Sequence, residues 1–202
     1  MNAIRDPAVA GTFYPSDARE LETSVSSMLA KAGTSGDQTE PPKAIIAPHA
    51  GYIYSGPVAA SVYARLAAAR DRIKRVVLLG PSHRVGFRGI AASNASAYRT
   101  PLGNIPIDGE AIAKVLTLPA TGYLDEAHTH EHSLEVHLPF LQLMLADFSL
   151  VPLVVGDANK EDVAQVLETL WGGDETLIVI SSDLSHYHPY EEANRIDAST
   201  SA

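Results

Sequence analysis

The chain contains no cysteine. Within these residues that excludes disulfides, thiolate nucleophiles and thiolate-ligated metals. Long apolar runs are also missing. The longest fall far short of a bilayer span, and MNAIRDPAVAG lacks the basic patch and apolar core of a secretory leader. A cytoplasmic protein with no membrane partner is the expectation. Basic charge is scarce, with 15 Lys and Arg against 24 Asp and Glu and a net charge of −9. No Lys/Arg run stands out, which argues against a nucleic-acid partner, because that needs a concentrated basic face. No GxSxG elbow, P-loop or GxGxxG follows a strand-like run, so acyl-transfer, NTPase and dinucleotide-binding readings lack their main signature. Repeats and low-complexity segments are absent too. At 202 residues, 46% of them hydrophobic, the chain suits one globular domain with a sizeable core.

What the chain does have is three short apolar, β-branched runs that each deliver metal-capable side chains. Residues 43–48 (KAIIAP) lead to His49, residues 75–82 (RVVLLGPS) to His83, and residues 176–182 (TLIVISS) to Asp183, with His186 and His188 just beyond. Such runs, separated by helical patterns, read as buried parallel strands. Helical patterns cover residues 16–31, with Leu21, Val25, Met28 and Leu29 on one face; 57–69, opened by Pro57; and 108–116, capped by Asp108. Others cover 131–145, where Pro139 is an internal conflict; 159–171, opened by Asn159; and a final stretch from Tyr190. Residues 149–155 and 89–93 read as further strands, 95–107 as an irregular or hairpin excursion, and 32–42 as a polar surface loop. The expected fold is α/β, a single domain with a mostly parallel sheet flanked by helices. In an open α/β sheet, ligands bind outside the carboxyl ends of the strands. His49, His83, Asp183 and His186 should therefore converge on one crevice.

Each of these histidines alone reads more readily as a strand-end cap than as a ligand; their coincidence carries the inference. Two neutral imidazoles from adjacent loops begin a divalent transition-metal site. Asp183 could add a carboxylate, giving a set that suits non-haem Fe(II) and catalytic Zn, or it could cap a turn opening at Leu184. His186 could be a ligand or a proton donor. Four more histidines, His128, His130, His132 and His137, crowd the stretch HTHEHSLEVH. We assign His128 and His130 to a solvated loop, and Glu131 and His137 to structure. His132 and Glu135, three residues apart, would share a helix face, either supporting the ligands from behind or forming a surface pair.

Five segments occur in order: Val9-Ala10-Gly11-Thr12-Phe13-Tyr14-Pro15, Ala47-Pro48-His49-Ala50-Gly51-Tyr52-Ile53-Tyr54-Ser55-Gly56, Leu79-Gly80-Pro81-Ser82-His83, Glu131-His132-Ser133-Leu134-Glu135-Val136-His137-Leu138-Pro139-Phe140, and Ser181-Ser182-Asp183-Leu184-Ser185-His186-Tyr187. Together they resemble the Memo family, whose prokaryotic members are also known as AmmeMemoRadiSam system protein B. The resemblance runs over essentially the whole chain. It implies a fold similar to class III extradiol dioxygenases, which are non-haem iron enzymes. Matched by motif, His49 and His83 fall on the two histidine metal ligands and His186 on the dioxygenases' acid/base histidine, while Asp183 lines the same pocket. The third ligand is usually a C-terminal cysteine in the family and a glutamate in the dioxygenases. This chain has no cysteine and ends in the helix after Tyr187, so a C-terminally shortened form is expected. His137 stands where many members carry glutamine. The family's eukaryotic members are linked to cell motility, phosphotyrosine-peptide binding and metal-dependent redox chemistry. Three functions follow, in order. The first is a metal-dependent oxidoreductase using iron or copper, with zinc a further option. The second is a non-catalytic module presenting the cleft to a small molecule, peptide or partner protein. The third is a zinc hydrolase with His186 or Glu135 as base.

Overall fold

β-Branched runs and amphipathic stretches alternate along the chain, and the computed structural model, which describes residues 3–33 and 40–202, turns them into nine strands and seven α-helices. In the first half they are β1 (Ile4–Arg5), α1 (Ala18–Ala32), β2 (Ala44–Ala47), α2 (Tyr52–Tyr63), β3 (Arg75–Pro81), β4 (Ile90–Ala92), β5 (Ala97–Thr100) and β6 (Gly103–Pro106). The second half adds α3 (Gly109–Val115), β7 (Thr121–Tyr123), α4 (Asp125–Thr129), α5 (Leu138–Met144), β8 (Ser149–Val155), α6 (Lys160–Leu170), β9 (Thr176–Ser181) and α7 (Tyr190–Thr200). Of the expected polar loop, residues 34–39 lie outside the described residues.

The main sheet has the order β2-β9-β3-β8-β4-β7. Strands β2, β9, β3 and β8 run parallel, β4 is antiparallel to β8, and β7 is parallel to β4. A mostly parallel sheet buries both faces, and register decides which side chain meets which layer. Ile45, Val76, Leu78, Leu150, Leu177 and Val179 face α1, α2 and α5 through Leu21, Val25, Tyr63 and Phe140. The alternate residues Val77, Leu79, Val151, Leu153 and Ile178 face α3 and α6 through Ile112, Val115, Val166 and Leu170. The chain is thus a single α/β domain with helices on both faces of its sheet. Among the described residues no helix is long and apolar enough to cross a membrane.

Several local expectations hold for the stated reasons. Asp108 caps α3 by accepting a backbone N–H group, and Asn159 with Asp162 forms a full capping box on α6. The structure adds Asp17 as the cap of α1. Residues 95–107 form the β5–β6 hairpin, which pairs with β1 in a separate three-stranded sheet.

Other expectations need correction. Pro57 does not open its helix: α2 begins at Tyr52, immediately after Gly51, and carries Pro57 inside it on the exposed side. The carbonyl deprived of its partner there belongs to Ile53, on the same solvent-facing side, where water can satisfy it. Residues 131–145 are not one helix. A turn leads into a 3-10 helix over Glu135–His137, and only then does α5 begin. Pro139 falls at the second position of α5, where no intrahelical partner for its nitrogen is required. His128 is not in a solvated loop. It lies buried in α4, hydrogen-bonded to the Tyr98 hydroxyl (2.6 Å) and the Ala91 carbonyl (3.0 Å).

Candidate metal centre

Three of the parallel strands end at one edge of the sheet, and the residues just beyond them build the site. His49 follows β2, His83 follows β3, and Asp183 follows β9, which lies between the other two. The ligand-capable atoms of His49, His83 and His132 all lie within 4.8 Å of one another. Ring centroids are 5.1 Å apart for His49 and His83, 4.5 Å for His83 and His132, and 5.7 Å for His49 and His132. Asp183 stands at the margin of this group, so His132 is the third member of the cluster. It had been expected only as a supporting residue.

Hydrogen bonds behind the rings fix which nitrogen faces the cleft. The Ser181 hydroxyl donates to the Ser133 carbonyl (2.6 Å), so toward His49 it can only accept. The 2.6 Å contact from His49 Nδ1 therefore carries the imidazole proton, and Nε2 keeps its lone pair. Likewise His83 Nδ1 lies 2.9 Å from Glu131 Oε1. An ionised carboxylate only accepts, so His83 also bears its proton on Nδ1 and leaves Nε2 free. Burial on its own would raise the Glu131 carboxyl, but the N–H groups of His83 and Ser133 and the His83 ring hold it down at about 2. Burial pulls His49 down to about 4, against the opposing pull of Asp183 and with the help of the His83 and His132 rings. It pulls His132 below its ordinary value as well. Neutral imidazoles at pH 7 are the form that binds a metal. His132 Nδ1 is enclosed and has no hydrogen-bond partner among the described residues. That nitrogen lies 3.2 Å from Glu131 Oε1, and two outward lone pairs beside a third imidazole fit a divalent ion with imidazole preference.

Asp183 is joined to this group through His49. Its Oδ1 accepts the His49 backbone N–H at 2.6 Å, and its Oδ2 lies 3.7 Å from His49 Nε2 and 3.5 Å from His186 Nε2. The backbone at Leu184 forms no helical turn. Instead His186 Nδ1 donates to the Leu184 carbonyl (2.8 Å), which turns Nε2 toward Asp183. The ring of His186 is more than half exposed. Tyr187 next to it takes a φ of 60°, a left-handed conformation that bulky residues seldom adopt.

Glu135 is not at this site. Its carboxylate turns to the opening segment, where it pairs with Arg5 and accepts from the backbone of Ala8 (2.7 Å) and Val9 (3.0 Å) and from the Tyr14 hydroxyl. The residue that does stand behind the ligands is Glu131, together with Ser181 and Ser133. Sequence reasoning assigned Glu131 to structure and gave Ser181 and Ser133 no role. Glu131 sits beside His132 in a stretch crowded with histidines, which was the available signal. Ser181 would have needed the strand register, Ala47 opposite Ser181, which puts it on the same face as His49 two residues later.

Comparison with known proteins gives the family of the chain. A family model described as Memo-like protein matches residues 5–200. A MEMO1 family protein of Aquifex aeolicus is 43% identical over 198 residues, covering 96% of this chain and 72% of the relative. One from Aeropyrum pernix is 42% identical, covering 96% and 74%, and one from Ignicoccus hospitalis is 39% identical, covering 93% and 70%. Matches of this extent and identity mean that the chain belongs to the Memo family.

Proposed function

We propose that this protein is a metal-dependent oxidoreductase that holds iron or copper, with zinc as the alternative ion, on His49, His83 and His132. The observation that carries the reading is the convergence of three imidazoles within 4.8 Å at the carboxyl edge of the sheet. The redox chemistry linked to eukaryotic Memo proteins supports the choice of reaction class. A bound transition metal would supply Lewis acidity and, for iron or copper, electron transfer. The chain's own residues do the remaining work. Ser181 and Glu131 hold the two strand-end rings with Nε2 outward. Asp183 anchors the His49 backbone and faces His186, whose exposed Nε2 is placed to exchange a proton with a small molecule in the cleft.

The test compares metal content, zinc affinity and metal-dependent oxygen uptake, with a reductant supplied, across three variants. His49→Ala and His132→Ala should lose the metal. His186→Ala should keep it while turnover falls by about two to four orders of magnitude. Full affinity in His132→Ala would remove His132 from the ligand set. Loss of metal in His186→Ala equal to that in His49→Ala would make His186 a ligand. The exposure of the His186 ring favours a second reading, a non-catalytic module that presents this strand-end surface to a peptide. Metal content and oxygen uptake unchanged in all three variants would leave that reading standing.

A further inference from the structure

We infer that Glu131 is the positioning residue of the metal site, one buried carboxylate that sets the tautomer of His83 and ties together the two loops carrying His83 and His132. The inference rests on the three-histidine reading and deepens it. Glu131 Oε2 accepts the His83 backbone N–H at 2.6 Å. Its Oε1 accepts the His83 ring at 2.9 Å and the backbone N–H groups of His132 (2.8 Å) and Ser133 (2.9 Å). A second tie crosses the same gap, from the Ser133 hydroxyl to the Pro81 carbonyl (2.8 Å). One side chain therefore holds the backbone of both loops and the ring of one ligand.

The charge of Glu131 points the same way. The side chain is about 1% exposed, and its only ion-pair partners among the described residues are the imidazoles of His83 and His132. The neighbouring cation, Arg5, spends its contacts on the Glu131 and His128 carbonyls and on the Glu135 carboxylate. A buried carboxylate without a lysine or arginine is expensive unless something else compensates it. A divalent ion on the far side of the two rings would do so. In return the carboxylate holds the Nδ1 proton of His83 and so leaves its Nε2 lone pair available to such an ion.

The experiment uses the full chain and two readouts. Titration with Zn(II) at pH 7 should show Glu131→Gln binding about 10–100-fold more weakly than the wild type. Glutamine cannot accept at both ends, so it must give up either the His83 N–H or the cluster of donors on Oε1. Glu131→Asp keeps the charge and should recover part of the loss. The second readout is the protonation of the His83 ring in metal-free protein, from long-range nitrogen–proton NMR correlations. The wild type should carry the proton on Nδ1, and Glu131→Gln should populate the other tautomer. A wild-type ring protonated on Nε2 overturns the inference without any variant. So does Glu131→Gln with wild-type zinc affinity and an unchanged tautomer. If the wild type binds no zinc, iron or copper, the metal reading falls on its own, and the tautomer measurement still decides the role of Glu131.

Discussion

The carboxylate of Glu135 is fully enclosed and accepts four hydrogen bonds, from Arg5, the backbone of Ala8 and Val9, and Tyr14. These hold the opening segment against the 3-10 helix that follows His132. Removing Glu135 would leave a buried guanidinium without its counter-charge, a change that typically costs about 3–5 kcal/mol. Glu135→Ala should therefore lower the unfolding free energy from urea denaturation by an amount of that order, while zinc affinity of the folded protein stays at the wild-type value. A loss below about 1 kcal/mol would mean that water compensates Arg5 and that the pair is not a clamp. Sequence spacing placed Glu135 beside His132 because an interval of three means one face only within a continuous helix. Here His132 lies in irregular chain before the 3-10 helix begins, so the interval says nothing about direction. The residue types were legible, and the directions of their side chains were not.

Gly80 shows how elements are brought close enough to make a site. It ends the apolar part of β3, and a Cβ built there would meet Leu134 Cδ2 at 2.8 Å, Ser133 Oγ at 2.9 Å and Ser181 Cβ at 3.1 Å. Those three neighbours belong to the loop carrying His132 and to β9, the strand that delivers Asp183. Gly80→Ala should push both away from β3, with an overpacking penalty of about 1–3 kcal/mol. Its zinc affinity should fall alongside its stability. Unchanged affinity in a destabilised variant would show that the ligand loops move together and tolerate the shift. The strands themselves were readable, since residues 43–48, 75–82, 149–155 and 176–182 are short apolar runs and all four formed parallel strands. Their order was not readable. Strands buried on both faces carry no alternation to mark a face or a neighbour, and nothing in the sequence indicates that β9 lies between β2 and β3. The short β7 and helix α4 were missed for a related reason, because three to five residues are too few to show a period.

Across the molecule, buried neutral histidines make folding depend on pH in one direction. Burial pulls His49 and His128 down to about 4 and His137 to about 3, against an ordinary value of 6.5. Above pH 6.5 the rings are neutral in both folded and unfolded chains and contribute no slope. Between 6.5 and about 4 the unfolded chain takes up protons that the folded one refuses, so stability falls as pH falls. Each ring contributes about 1.4 kcal/mol per pH unit, so the three together approach a slope of about 4 kcal/mol per unit. Against a typical total of about 5–15 kcal/mol, that is enough to unfold the metal-free protein between about pH 5 and 4. Glu131, held down at about 2, adds its own loss only below about 4.5. His137 separates this effect from metal binding. It is fully buried, shares a hydrogen bond with the Tyr63 hydroxyl through Nδ1 (2.8 Å), and is not one of the three clustered ligands. His137→Gln offers the Tyr63 hydroxyl an amide in place of the ring nitrogen and removes one titrating group. Urea denaturation at pH 7.5, 6.5, 5.5 and 4.5 should show a slope about one third shallower in this variant, with stability at pH 7.5 changed little by comparison. Equal slopes for the two proteins, or a flat profile from pH 7 to 5 in the wild type, would mean that these rings keep their protons in the folded state and that burial is not what governs them.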